Sequence, residues 1–147
     1  MTGKTPLVFI DKSVKIDAMF DQENILRGVV VPWARGHFGG GEWTFQQDWA
    51  PAHGAKTTIR LCEELFPHFW GKDVWPSGSP DLNRLDFSVW SILDSRISAK
   101  ERTTIPKLKA ALRREWDRIS VGTLASTVGE FRSRLKRCIK ASGGHFE

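Results

Sequence analysis

The hydrophobic positions divide the chain into extended and helical stretches that follow one another in a regular order. Residues 5–10 (TPLVFI) are a short apolar run and read as a strand buried on both faces. Residues 18–31 carry Met19, Phe20, Ile25, Leu26 and Val29 at helical spacing, with Pro32 as the stop. Gly39-Gly40-Gly41 turns the chain into residues 43–48, where Trp43, Phe45 and Gln47 alternate with Thr44, Gln46 and Asp48. Ala50-Pro51 ends that strand. Residues 53–66 predict a helix with Ile59, Cys62, Leu65 and Phe66 inward, and Val74-Trp75, between Gly71 and Pro76, a further short strand. A Pro/Ser/Gly loop then reaches Asn83, a good N-cap for a helix that ends near Ile97. Two more helices follow. One has Pro106 in its first turn and a stripe of Leu108, Ala111, Leu112 and Ile119. The other has Leu124, Val128, Phe131, Leu135, Cys138 and Ile139 on one face, Arg132, Arg134, Lys136, Arg137 and Lys140 on the other, and Gly143-Gly144 as its stop.

This order predicts an α/β fold: a small, mainly parallel sheet of two or three strands, flanked by helices, with residues 5–10 and 43–48 as neighbouring strands. It also places Asp48 at the carboxyl end of a strand, where open α/β sheets keep their functional groups. With Asn83 as N-cap, Asp86 falls at the third helical position and shares a face with Trp90, Leu93 and Ile97. Trp75, Trp90 and Trp116 read as core, and none belongs to an exposed aromatic series of the kind single-stranded nucleic acid stacks on.

Composition narrows the class. An aromatic content of 11% with 27% charged residues is globular rather than disordered. The formal net charge of +5 is uneven: residues 1–100 hold 11 Lys/Arg and 12 Asp/Glu, whereas residues 101–147 hold 11 Lys/Arg and 5 Asp/Glu. The positive excess therefore lies in the last third, which suits either a solvated helix face or contact with a phosphate backbone. Cys62 and Cys138 have no metal-ligand spacing and read as small core residues of a reducing compartment. No run approaches the length of a membrane span and no signal peptide is apparent, so an intracellular, soluble protein without a membrane partner is expected.

Asp48 and Asp86 are the candidate chemistry, and each has two readings. Asp86 near a helix N-terminus interacts favourably with the helix dipole and can complete a capping box with Asn83, or it binds a metal. Asp48 either hydrogen-bonds the turn that follows it or is a second metal ligand. Facing carboxylates across a shallow pocket could share one ion. His53 is either a local helix-start residue or a neighbour of that site. His37, His68 and His145 form no ligand cluster by spacing.

FQQDWAPAH (residues 45–53) and WPSGSPDLNRLDFSVWSILDSR (residues 75–96) resemble the second and third catalytic blocks of the mariner superfamily of DDE transposases. The resemblance extends from GKTPLVFID to GGHFE, nearly the whole chain, and the long second block is its most specific part. It implies the C-terminal part of a ribonuclease H-like catalytic domain, residues 1–100, with a basic helical extension at 101–147. It also implies three carboxylates around two divalent ions, Mg²⁺ or Mn²⁺, which cut DNA at transposon ends and join it to a target. Asp48 matches the second carboxylate and Asp86 the third, with His53 and Asn83 inside the matching blocks. The first belongs to a strand ahead of GKTPLVFID, so the sequence reads as an N-terminally truncated, incomplete domain. Such a piece is expected to be inactive alone, with at most one weakly held ion. It would bind DNA weakly and without sequence preference through Arg132, Arg134, Lys136, Arg137 and Lys140. It would reside in the nucleus, and its partners would be a second copy or a complementing transposase chain. The alternative is a non-catalytic assembly module that binds DNA or protein through the basic helices. Two positions depart from the family pattern: Arg84 stands where proline is usual, and Trp49 where a small or polar residue is usual.

Overall fold

A computed structural model describes residues 3–98, 104–142, 144 and 146. They pack as two compact units, residues 3–78 and residues 79 onward. The compositional boundary at residue 100 therefore falls within the second unit.

The first unit opens with a helix over residues 18–38 (α1), capped by Asp17, whose Oδ1 accepts the Phe20 N–H at 2.9 Å. Its middle, Asp21–Val30, is wound in wide turns whose N–H groups reach back five residues, between α-helical Ala18–Phe20 and Val31–Phe38. Pro32 does not end this helix, contrary to the sequence expectation. The wide turns change which residues face inward. Asp21, Leu26, Val31 and Ala34 are buried, and Met19, expected inside, is exposed. The helix ends at Gly39, whose φ of 59° suits glycine.

Strand β1 (Thr44–Gln46) pairs in parallel with β2 (His68–Trp70), in the register Thr44↔His68, Phe45↔Phe69 and Gln46↔Trp70. Helix α2 (Lys56–Leu65) makes the crossover. Leu26, Val31, Leu61, Cys62 and Phe66 form the core, with Trp43, Phe45 and Phe69 packed against it. The Phe45 and Phe66 ring centroids are 4.2 Å apart. Burial, with the charges of Asp21 and Glu63, pushes the Cys62 thiol up to about 12, so it behaves as a small apolar residue.

Two expected strands are corrected. Residues 5–10 have no ladder partner and form no strand; Pro6 and Val8 are exposed while Leu7 and Phe9 are half-buried, so the run is covered on one side only. The partner of β1 is His68–Trp70, not residues 5–10, and Val74-Trp75 forms no strand. Pro67 follows α2 at once, so the chain is already extended by residue 68. Trp75 is instead an anchor, stacked on Trp70 at 6.1 Å.

The second unit is helical. Helix α3 covers residues 85–98, with wide turns over Leu85–Trp90 and α-helix over Ser91–Ser98. Helices α4 (Ile105–Asp117) and α5 (Val121–Lys140) follow, capped by the side chains of Thr104 and Ser120. Leu82, Val89, Leu93, Ala111, Trp116 and Ile119 are buried. Trp90, expected in the core, is 44% exposed and stacks beside Trp116 at 6.5 Å. The wide turns again rotate the face, putting Val89 rather than Trp90 inward. On α5 the buried residues are Thr127 and Arg134, whereas Val128, Leu135 and Ile139 are exposed. Helix α5 ends at Lys140, and Gly143 and His145 lie outside the described residues. Among the described residues, no helix is long and apolar enough to cross a membrane.

Candidate metal-binding site

Asp48 lies two residues past β1, in the turn that leads to α2. The turn holds itself together by short-range bonds. Asp48 Oδ1 accepts the Ala50 N–H at 3.0 Å, and the Gly54 N–H donates to the Ala50 carbonyl at 2.9 Å. His53 Nδ1 meets the same Asp48 oxygen at 2.6 Å. Gln47 Nε2 donates to the His53 carbonyl at 3.3 Å. The Trp49 indole N–H donates to the Trp75 carbonyl at 2.8 Å, and its ring lies close over Gly54, so the bulky side chain is tied down within the unit.

The turn is fastened from below by Thr58, which is fully buried. Its hydroxyl donates to the Ala52 carbonyl at 2.8 Å and accepts from Gln22 Nε2 at 2.9 Å. Gln22 also reaches Thr57 Oγ1 at 2.9 Å, so the start of α1 is bonded to the start of α2. The residue before Gln22 is Asp21, only 4% exposed, whose Oδ1 lies 3.7 Å from His53 Nε2. Thus the imidazole has the Asp48 carboxylate on one nitrogen and the Asp21 carboxylate on the other.

These surroundings push the two acids in opposite directions. Burial raises the Asp21 carboxyl above its ordinary value; the nearby His53 opposes this and the charge of Asp48 adds to it. Partial burial also works against ionised Asp48. The Ala50 N–H and His53, through its hydrogen bond and its charge, outweigh that and hold Asp48 below the usual carboxylate range. Asp48 is therefore a formed, half-exposed anion with hard oxygen donors, suited to a hydrated Mg²⁺ or Mn²⁺. Among the described residues, no group of three or more His, Cys, Asp or Glu side chains is gathered around one point. The local geometry fits one ligand of an ion rather than a finished two-ion centre.

Asp86 belongs to the second unit. Asn83 Oδ1 accepts the Leu85 N–H at 3.3 Å, and the Asn83 carbonyl accepts from the Asp86 and Phe87 N–H groups. Asn83 thus caps α3 as expected, with Asp86 exposed in the first turn. Arg84, which stands where the resembled family usually has proline, lies with its guanidinium 4.7 Å above the Phe131 ring.

The basic set of α5 is corrected at one position. Arg132, Lys136, Arg137 and Lys140 are exposed, but Arg134 is only 5% exposed. Its guanidinium sits 3.9 Å above the Phe87 ring, and its Nε donates to the Asp81 carbonyl. It packs the second unit and is withdrawn from the cationic surface. Sequence reasoning missed Asp21, Gln22 and Thr58, whose contacts span 32 to 36 residues.

The chain is 29% identical over 129 residues to the Tcb1 transposable-element transposase of Caenorhabditis briggsae, covering 82% of this chain and 42% of that protein. It is 27% identical over 124 residues to the Tc1 transposase of Caenorhabditis elegans, covering 84% and 44%. The chain spans less than half the length of the curated relatives it matches. No protein-family model matches it. Among solved structures, the catalytic domain of Mos1 transposase with raltegravir and Mn superposes with a TM-score of 0.78 at 16% identity, over 92% of this chain and 68% of that one. The Mos1 paired-end complex with the left transposon end gives 0.80 at 16% identity, over 94% and 40%. The chain is a homologue of Tc1/mariner transposases and has the ribonuclease H-like fold of the Mos1 catalytic domain, with a small two-stranded parallel sheet.

Proposed function

We propose that this homologue of the Tc1/mariner transposases is a catalytic-domain piece whose Asp48 and Asp86 each served as a ligand for divalent ions in DNA cleavage and strand transfer. The observation that carries the reading is Asp48 itself: a strand-end carboxylate kept ionised and aimed by Ala50 and His53. Asn83 and Asp86 open α3 as the matching third block requires. In such sites bound ions stabilise the attacking and leaving oxygens of an in-line displacement, at a separation of roughly 3.5–4 Å. The chain's own part is to hold the Asp48 oxygen in place through a turn locked at both ends.

These 147 residues by themselves are inactive in this reading, because the carboxylates they offer do not fix two ions, and a further ligand would have to come from residues outside them. The relatives are transposases, and the neighbours include Mos1 structures with Mn and Mg and with a transposon end. These support DNA binding, which in this reading is weak, sequence-independent and nuclear. The contacts are Arg132, Lys136, Arg137 and Lys140, all exposed on α5. The second reading, a non-catalytic module that uses these helices, draws on the same face and needs no metal.

The test is a plasmid-nicking and strand-transfer assay with Mg²⁺ or Mn²⁺, on the chain and on Asp48→Ala. Both should be blank while both retard duplex DNA at low salt. Robust nicking that disappears in Asp48→Ala would overturn the inactivity and reveal another ligand.

A further inference from the structure

We propose that Asp21 is a positioning residue, a buried carboxylate that holds the His53 imidazole from beneath so that His53 in turn fixes Asp48. The inference rests on the reading of Asp48 as a metal ligand. It starts from an anomaly on the inner face of α1, where Leu26, Val31 and Ala34 are apolar and Asp21 is not. A carboxylate in such a place costs desolvation free energy that an apolar residue would not, and it persists only with a compensating partner. Asp21 is not the helix cap, because Asp17 already caps α1. Its Oδ2 is buried without a hydrogen-bond partner, while its Oδ1 faces His53 Nε2 at 3.7 Å.

The remaining geometry completes a line. Gln22, bonded to Thr57 and Thr58, fixes the height of Asp21 against α2. His53 Nδ1 donates to Asp48 Oδ1, the oxygen that the Ala50 N–H also engages. With Oδ1 held twice, Oδ2 is the oxygen presented to an incoming cation. Ligand-orienting partners of this kind typically change metal affinity about 10–100-fold when removed. Asp21 acts one residue further back, through the ring it pins. It touches neither metal nor substrate.

The experiment uses the whole 147-residue chain with Mn²⁺ as the probe. Asp21→Asn keeps the shape of the side chain and removes its charge. In the wild type, the His53 imidazole ¹⁵N signals should be sharp and distinct, and in Asp21→Asn they should move and broaden. Free-Mn²⁺ EPR should show affinity falling about 10-fold in Asp21→Asn. The double variant Asp21→Asn/His53→Gln should bind no worse than His53→Gln alone, since the two act in series. Unmoved His53 signals in Asp21→Asn overturn the proposal, whatever the metal does. So does an additive double variant. If wild type and Asp48→Ala bind Mn²⁺ equally, it is the metal-ligand reading that falls, and the imidazole signals alone then decide whether Asp21 holds His53.

Discussion

Thr58→Val is the sharpest probe of how the Asp48 turn is held. Thr58 has no exposed surface, and its hydroxyl makes two bonds: it donates to the Ala52 carbonyl and accepts from Gln22. Valine keeps the shape and replaces the hydroxyl by a methyl group. Gln22 retains Thr57 as a partner, so the main loss is the donor to Ala52. Leaving a partly buried carbonyl unsatisfied costs about 1–3 kcal/mol. The added methyl returns up to about 0.8 kcal/mol in apolar burial. A net loss of about 0.2–3 kcal/mol follows, with a midpoint near 1.5 kcal/mol, or roughly 4–5 °C in Tm for a chain of this size. Circular-dichroism melts measure the shift, and hydrogen exchange locates it. The Gly54 amide, bonded to Ala50 inside the turn, should lose protection, while amides in α4 and α5 should not. A valine variant with unchanged or higher Tm would refute the reasoning, because a hydroxyl without structural work is replaced at no cost in a buried site.

Arg134 and its exposed neighbours should separate cleanly. Arg134→Ala strips a buried guanidinium from Phe87 and Asp81 and should destabilise the chain by about 2–4 kcal/mol in urea melts, while Arg132→Ala should stay within about 0.5 kcal/mol. Conversely, replacing Arg132, Lys136, Arg137 and Lys140 together by alanine should flatten the salt dependence of DNA retention by a slope of up to about 3–4, and an unchanged slope would place the DNA contact elsewhere. Glu115 gives a pH signature. Burial alone would raise its carboxyl, but the Arg114 hydrogen bond and the charges of Arg118, Arg114 and Arg96 hold it below the ordinary value. Its folded value is depressed, so its contribution is fully present above the unfolded value of about 4.3 and is lost as pH falls through the lower folded one. Glu115→Gln should therefore melt below wild type at pH 7, with the gap closing on acidification; an equal gap at pH 3 would mean packing rather than charge.

The elements that local chemistry dictates were legible in the sequence. The β1 alternation, the Gly39 turn, the Asn83 cap and Pro106 in the first turn of α4 each depend on residues a few positions apart. Errors arose where a partner decides. An apolar run such as residues 5–10 becomes a strand only with a ladder beside it, and none of the described residues provides one. His68–Trp70 and Val74-Trp75 look alike as short apolar stretches. The early exit from α2 at Pro67 gives the pairing to the first, and the second is drawn into the tryptophan contacts. Arg134 was counted as surface because its charge says so, yet a planar cation over Phe87 with a carbonyl at its Nε is a stable buried arrangement.

The candidate site divides along the same line. Asp48, Ala50, His53 and Gly54 lie within seven residues, so motif and geometry coincide and the block could be read directly. Asp21 could not be read, for two physical reasons. Its contact with His53 crosses 32 residues of chain, and the helix bearing it does not follow the ordinary period. In α1 the buried positions Asp21, Leu26 and Val31 recur every five residues, the spacing of the wide turns, whereas a 3.6-residue period assigns inward faces through Met19, Phe20 and Val29. The wide turns thus bring an acid, rather than an apolar residue, beneath His53. Wide turns are rare and are found frequently at functional sites. Their coincidence with the buried Asp21 carboxylate that faces His53 accords with the positioning role proposed for it.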